Sequence, residues 1–297
     1  MELGLVVPAG LSPSAAVELA VAAEEIGLSS FWVPEGHGGD AFALLAAAAL
    51  ATSRIRLGSA VVNIYSRSAT TIAMAAVTLA ELSAGRFTLG IGTSHDEQML
   101  SEHGLIRQRP METIADVVEV VQRLQRDHQL SELKLGTMRV DRFGLDFAPT
   151  SRHIPVYLAA VRPKMMKLSM RIADGAIVVW RTASEIAVLG ANRPVGWALA
   201  AIIHCAVGRR RRDCELALSD AREQSSQYRN YRALFESQEQ HAGICCTDGA
   251  SLSAGLLAHQ MAGVDEALLR PLPAADSSAD QATRRLLAVL RSRPVAS

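Results

Sequence analysis

The chain carries no surplus of charge: Lys plus Arg and Asp plus Glu number 30 each. Without a global field there is no electrostatic reason to expect nucleic acid or an acidic membrane surface as a partner. Aromatic residues are scarce, 4% against 49% hydrophobic overall, so Ala, Leu, Val and Ile must fill any core. The four cysteines, Cys205, Cys214, Cys245 and Cys246, show neither metal-ligand spacing nor a disulfide framework. A reduced, cytoplasmic protein without a metal site is the simplest account. No basic segment precedes the apolar residues of MELGLVVPAGLSP, so no signal peptide is expected. The apolar run at residues 43–51 is too short to span a bilayer and stops at Thr52-Ser53-Arg54. Also missing is a Gly-x-Gly-x-x-Gly turn after the first strand, where VVPAGLSP stands; this counts against a dinucleotide-binding open sheet.

What the chain does have is alternation. Short runs rich in Val, Ile and Leu fall at 3–7, 30–33, 56–62, 87–92, 154–160, 175–180, 201–207 and 266–270. Their low polar alternation fits parallel strands covered on both faces. Amphipathic segments lie between them, at 14–26, 69–82, 110–124, 164–173 and 213–235. Ser12-Pro13 opens the first, Gly27 closes it, and Arg109-Pro110 opens another. Eight strands with helical crossovers in 297 residues predict an α/β fold, a single (β/α)8 TIM barrel over residues 1–297, with a doubly wound sheet as the runner-up. Residues 127–150 and 238–253 break the alternation, and 271–280 reads as a surface loop before a terminal helix. The basic run Arg209 to Arg212 reads either as a solvated helix start or as a phosphate site.

In such a barrel, chemistry belongs at the C-terminal ends of the strands. Those ends carry PEGHGGD, VVNIYSR, GTSHDE, AAVRPK and VVWR. The candidate proton donors are therefore Glu35, His37, His95, Asp96, Glu102 and His103, each weighed against an exposed or structural role. Tyr228 to Phe235, YRNYRALF, has the spacing of an apolar helix face and reads as packing.

Several segments together resemble the luciferase-like monooxygenase family, above all its branch using the 5-deazaflavin coenzyme F-420 (F420). They are FWVPEGHGGDAFALLAAAALATSRIRLGSAVVNIYSRS, then IAMAAVTLAELSAGRFTLGIGTS, then IPVYLAAVRPKMM with IADGAIVVW, and finally AGVDEALLRPL. The resemblance implies a (β/α)8 barrel with the coenzyme ring across its C-terminal mouth. It implies a bulge with a cis non-proline peptide behind the ring near Ala60–Val61, with Asn63 just after. Gly92, Thr93 and Ser94 would end strand four beside the ring. The loop Ala159, Ala160, Val161, Arg162, Pro163, Lys164 would bring a helix N-terminus to the coenzyme phosphate. Arg162 stands where relatives have a small residue, so it either grips the phosphate or crowds the backbone.

Glu35 falls at the family's acidic position beside the ring, but Gly36 stands where some relatives carry a catalytic His, leaving His37 as a substitute. Trp180 would wall the substrate pocket or merely cap the core, and His95-Asp96-Glu97 would tune substrate preference. The segment 235–247 is shorter than in typical members. Three functions follow: an F420-dependent oxidoreductase reducing a C=N or C=C bond of a small molecule, a two-component monooxygenase using reduced flavin mononucleotide (FMN), or a coenzyme-free binding barrel. The family habit is a homodimer.

Overall fold

Each apolar run finds a parallel neighbour until the last strand meets the first. The computed structural model describes residues 1–150, 153–238, 242–274 and 277–292. Its strands are β1 (Glu2–Val6), β2 (Ser30–Val33), β3 (Arg56–Ser59), β4 (Val62–Asn63), β5 (Phe87–Gly92), β6 (Gln129–Lys134), β7 (Arg139–Gly144), β8 (Val156–Ala159), β9 (Gly175–Val179), β10 (Ala198–Val207), β11 (Ile244–Cys246) and β12 (Glu266–Pro273). The parallel order β1-β2-β3-β5-β8-β9-β10-β12 closes through β12 on β1, with Glu2 opposite Glu266. The closed barrel removes the runner-up open sheet. Interior positions show why the sheet can close: Trp32 fills the barrel axis and donates from Nε1 to Ser30 Oγ at 2.7 Å. A Cβ on Gly58, the partner of Trp32 on neighbouring β3, would overlap its indole, so that position has no side chain. Below it, buried Glu266 bonds Ser30 and Arg56 at the N-terminal end, the end that carries stability rather than chemistry.

Around the barrel run α1 (Pro13–Glu25), α2 (Ala41–Ala51), α3 (Ala69–Leu82), α4 (Asp96–His103), α5 (Pro110–Asp127), α6 (Pro163–Ile172), α7 (Ala183–Gly190), α8 (Arg211–Ser225), α9 (Arg229–Phe235), α10 (Gly249–Met261) and α11 (Ala279–Arg291). Local sequence sets their starts. Ser12, Asp40 and Ser68 each accept from the backbone amide three residues on, and Pro13 occupies the first turn of α1. No helix among the described residues is long and apolar enough to cross a membrane.

Four expectations change. The segment 213–235 is two helices, because the chain turns at residues 226–228 between α8 and α9. Residues 127–150 hold the antiparallel hairpin β6–β7. The strand expected to end at Arg270 runs on to Pro273, which pairs with Val207, so the surface loop starts later than 271. In the stretch 238–253, Glu239, Gln240 and His241 lie outside the described residues, while β11 and the start of α10 occupy much of the rest. Arg209 to Arg212 are exposed around the start of α8.

Candidate functional site

The C-terminal strand ends open into a cavity of ≈ 1000 Å³. One wall is the break between β3 and β4. The Ala60–Val61 peptide there is cis, at the position the resemblance implies. Ala60, Val61, Asn63 and Gly92 all line the cavity. A Cβ on Gly92 would stand 2.7 Å from Val61 Cγ2 and 3.2 Å from Ala159 Cβ, so this wall stays flat only with glycine. Asn63 is fixed at both ends of its amide, donating to Met99 Sδ at 2.8 Å and accepting from Tyr65 N at 2.8 Å.

The rim is polar. Glu35 lines the cavity, yet its carboxylate is engaged: Arg67 donates at 2.5 Å and the Asn63 amide at 3.2 Å. Arg67 also reaches Asp40 at 2.5 Å, tying the β2 loop to the start of α2. His37 stands at the rim with 81% of its side chain exposed, 3.1 Å from Glu102 Oε2. A chain of hydrogen bonds continues inward from Glu102 to Gln98 at 3.0 Å and from Gln98 to Ser94 at 3.0 Å. The Gln98 amide, with His37 adding to it, holds the Glu102 carboxyl below the usual range. Ser94 takes a left-handed backbone, φ 53°, which turns it toward Gln98.

Aromatic side chains form the opposite wall. His95 stacks on Tyr228 with centroids 4.3 Å apart and tilts against Tyr231 at 4.9 Å. Burial, with Arg107 adding to it, pushes the His95 imidazole down to about 4. Its Nδ1 is buried with no hydrogen-bond partner among the described residues. At neutral pH this ring is an uncharged wall, not an acid. Trp180, also on a left-handed backbone at φ 57°, lies flat on His204 at 3.8 Å and meets the edge of Phe235 at 5.6 Å. It lines the cavity while remaining 4% exposed, so the wall and the core cap are the same indole.

Not every expected residue reaches the cavity. Asp96 was expected in the substrate pocket; instead it is exposed and gripped by Arg107 at 2.7 and 2.9 Å. That contact holds the Asp96 carboxyl below the usual range. Thr93 is also off the cavity wall, where its hydroxyl accepts from Arg107 at 3.3 Å. The loop Ala159, Ala160, Val161, Arg162, Lys164 does not line the cavity either. Val161 packs against the cluster of Trp180, Leu234, Phe235 and Ala242, and Arg181 binds its carbonyl. Arg162 and Lys164 are exposed at the start of α6, whose first amides no side chain caps.

Among the lining residues that sequence reasoning missed are His204 and Arg270, and Tyr228 and Tyr231, which read as packing, line the cavity too. A signal existed for His204 and Arg270. IIHCAV and ALLRPL each put one polar residue near the C-terminal end of an otherwise apolar strand, which in a barrel marks the site. Among the described residues, no group of three or more His, Cys, Asp or Glu could hold a metal.

Comparison with known proteins places this geometry. The family model for luciferase-like monooxygenase matches residues 1–289. The F420-dependent glucose-6-phosphate dehydrogenase of Kineococcus radiotolerans is 31% identical over 182 residues, 56% of this chain and 52% of that protein. The 5,10-methylenetetrahydromethanopterin reductase of Archaeoglobus fulgidus is 29% identical over 157 residues, 52% of this chain and 46% of that protein. The chain thus spans about half the length of the curated relatives it matches. An F420-dependent secondary alcohol dehydrogenase, solved with an F420-acetone adduct, superposes with a TM-score of 0.80 over 99% of both chains at 18% identity.

Proposed function

The chain belongs to the luciferase-like monooxygenase family, and from that premise we propose that it is an F420-dependent oxidoreductase. It would move a hydride between the deazaflavin and a small organic substrate, reducing a C=N or C=C bond, with residues 1–297 working as one unit. The observation that carries this reading is the wall of Ala60, Val61 and Gly92, where no side chain fits on Gly92, inside a cavity of ≈ 1000 Å³. A tricyclic ring needs such a surface, and the side chains present leave it clear. The name of the similar F420-dependent glucose-6-phosphate dehydrogenase supports the choice of coenzyme.

In this reading Ala60, Val61, Asn63, Gly92 and Ser94 hold the ring. The Ala159–Ala160–Val161 turn leads to the α6 N-terminus, where Arg162 and Lys164 meet the phosphate. A bound reduced deazaflavin supplies the hydride, so the protein must bind, orient, exclude water and deliver a proton. Glu35, bound by Arg67 and the Asn63 amide, positions the ring wall. His95, neutral at working pH, packs against the substrate. Proton delivery falls to His37, which faces solvent on one side and Glu102 on the other. Replacing His37 by Gln should lower kcat by roughly 100-fold or more while leaving coenzyme affinity unchanged.

Titrating the purified protein with F420 and with FMN, followed by absorbance and fluorescence, tests the coenzyme. Binding of F420 is the expected result. Preference for FMN would make the chain a two-component monooxygenase, and binding of neither would make it a coenzyme-free barrel. Arg162→Glu or Lys164→Ala should weaken F420 binding roughly 10- to 100-fold, the effect of losing a charge-assisted contact. The reading extends to a cytoplasmic location and to a homodimer, the latter drawing on exposed Leu50 and Met74 on the adjoining helices α2 and α3; sedimentation at micromolar concentration checks the dimer.

A further inference from the structure

Deep in the mouth, β10 and β12 lie side by side with His204 opposite Arg270. Register partners on neighbouring parallel strands point to the same side, and both residues line the cavity. What sets Arg270 apart is the company it lacks. Other enclosed arginines hold charged or carbonyl partners: Arg67 has Glu35 and Asp40, Arg107 has Asp96, Arg86 has backbone carbonyls of residues 49, 52 and 55, and Arg181 has Glu185, although its buried Nε stays unpaired. Arg270 makes no hydrogen bond or ion pair among the described residues. Burial works against its charge, and among the described residues the Tyr231 hydroxyl is the ionisable group that favours it. An arginine does not shed its proton to escape this setting, and this half-buried guanidinium, unpaired by protein, is left to an anion entering the cavity.

Its neighbours are donors as well. Burial, then Arg270, keeps His204 neutral, so its ring offers one N–H. Burial pushes the Tyr231 hydroxyl up to about 12, so it too is an O–H donor. Among the described residues no free carboxylate of the cavity answers them, because Glu35 is taken by Arg67 and Glu102 sits near the rim with Gln98 and His37. The floor is therefore a set of donors around one uncompensated cation, beside the flat faces of Trp180 and His95.

We propose that Arg270, with His204 and Tyr231, binds the carboxylate of a small, planar, anionic substrate. This deepens the oxidoreductase reading and rests on it for the claim that the bound anion is a substrate. Charge counting selects the carboxylate. A phosphate monoester brings about −1.5 to −2 at neutral pH, more than one guanidinium matches, whereas a carboxylate brings one charge on two oxygens spaced for the arginine fork.

Calorimetric titration of the full chain with benzoate, benzamide and inorganic phosphate tests the site. Benzoate should bind, and benzamide, the same shape without charge, should bind at least roughly 10-fold more weakly. Arg270→Met removes the charge while filling the space and should cost roughly 10- to 100-fold in benzoate affinity. Arg270→Lys, which keeps the charge and loses the fork, should fall between. Equal binding of benzoate and benzamide, absent benzoate binding, or unchanged affinity in both variants would overturn the proposal. Preference for inorganic phosphate would overturn the carboxylate assignment. F420 titrations run on the same samples separate the two readings. Arg270-dependent benzoate binding without F420 binding removes the coenzyme and leaves the anion site. The reverse pattern removes the anion site alone.

Discussion

Single residues fix the joints of this barrel. Glu24, on the last turn of α1, accepts the amides of Ser53, Arg54 and Ile55, the latter two at 2.6 and 2.8 Å, and the Ser53 hydroxyl. Burial alone would raise its pKa, but the bonds to those three amides outweigh that and lower it to about 2. The carboxylate thereby ties α1 to the turn that launches β3. Because its folded pKa is depressed, this stabilisation is present above about pH 4.5 and is lost as pH falls toward 2. Glu24→Gln keeps the shape, removes the charge, and should destabilise the fold by about 1–2 kcal/mol in urea titration at pH 7. Nothing in the sequence discloses this contact, since three consecutive amides become a binding nest only once the turn is formed. Gly58 was equally silent. Its reason is the Trp32 ring beside it on the neighbouring strand, and Gly58→Ala should destabilise by about 1–3 kcal/mol through overpacking, measured by the same titration.

At the scale of elements, the barrel strands were legible because strands buried on both faces read as continuous apolar runs, and each observed barrel strand overlaps a run in the sequence. Helix α9 was not. Its periodicity continues from α8, so only the turn at residues 226–228 separates them, and turns of that kind leave little trace in a polar stretch. The consequence reaches the site, since α9 and the residue before it supply an aromatic wall where the sequence suggested ordinary packing. Tyr228 stacks on His95, and Phe235 packs edge-on to Trp180 beneath the Arg222 guanidinium, 4.5 Å from its ring. Arg222 also donates to the Phe235 carbonyl at 2.7 Å. Removing the Phe235 ring should therefore release the element as well as a contact. Phe235→Ala is expected to cost about 3–4 kcal/mol and to speed amide hydrogen exchange across residues 229–235 more than in the barrel strands. Uniform acceleration throughout the chain would show that α9 has no separate stability.

Across the molecule, three histidines among the described residues are held neutral, and this predicts how it responds to acid. His95 is pushed to about 4 by burial and Arg107, His204 well below the usual value by burial and Arg270, and His259 downward by burial against its bond to the Gly255 carbonyl. Each has a folded pKa below its unfolded value near 6.5, so between those values the unfolded chain binds more protons than the native one. Stability must then rise with pH across that window, stand complete above about pH 6.5, and fall on acidification. His95 alone accounts for a change on the order of 3 kcal/mol between about pH 6.5 and 4. Glu266 works in the opposite sense, because burial raises its carboxyl and favours the fold under more acid conditions. The three histidines outnumber it, so the urea midpoint should drop clearly between about pH 7.5 and pH 5. His95→Phe retains a ring against Tyr228 but cannot titrate, and its midpoint should change less over that range than the wild type's. Parallel profiles for the two proteins would mean that His95 is not held neutral by the wall it forms. The bound state offers a second check, since a carboxylate ligand seated on Arg270 protects the native fold by mass action. Benzoate should raise the urea midpoint of the wild type at about pH 7.5 and leave that of Arg270→Met where it is.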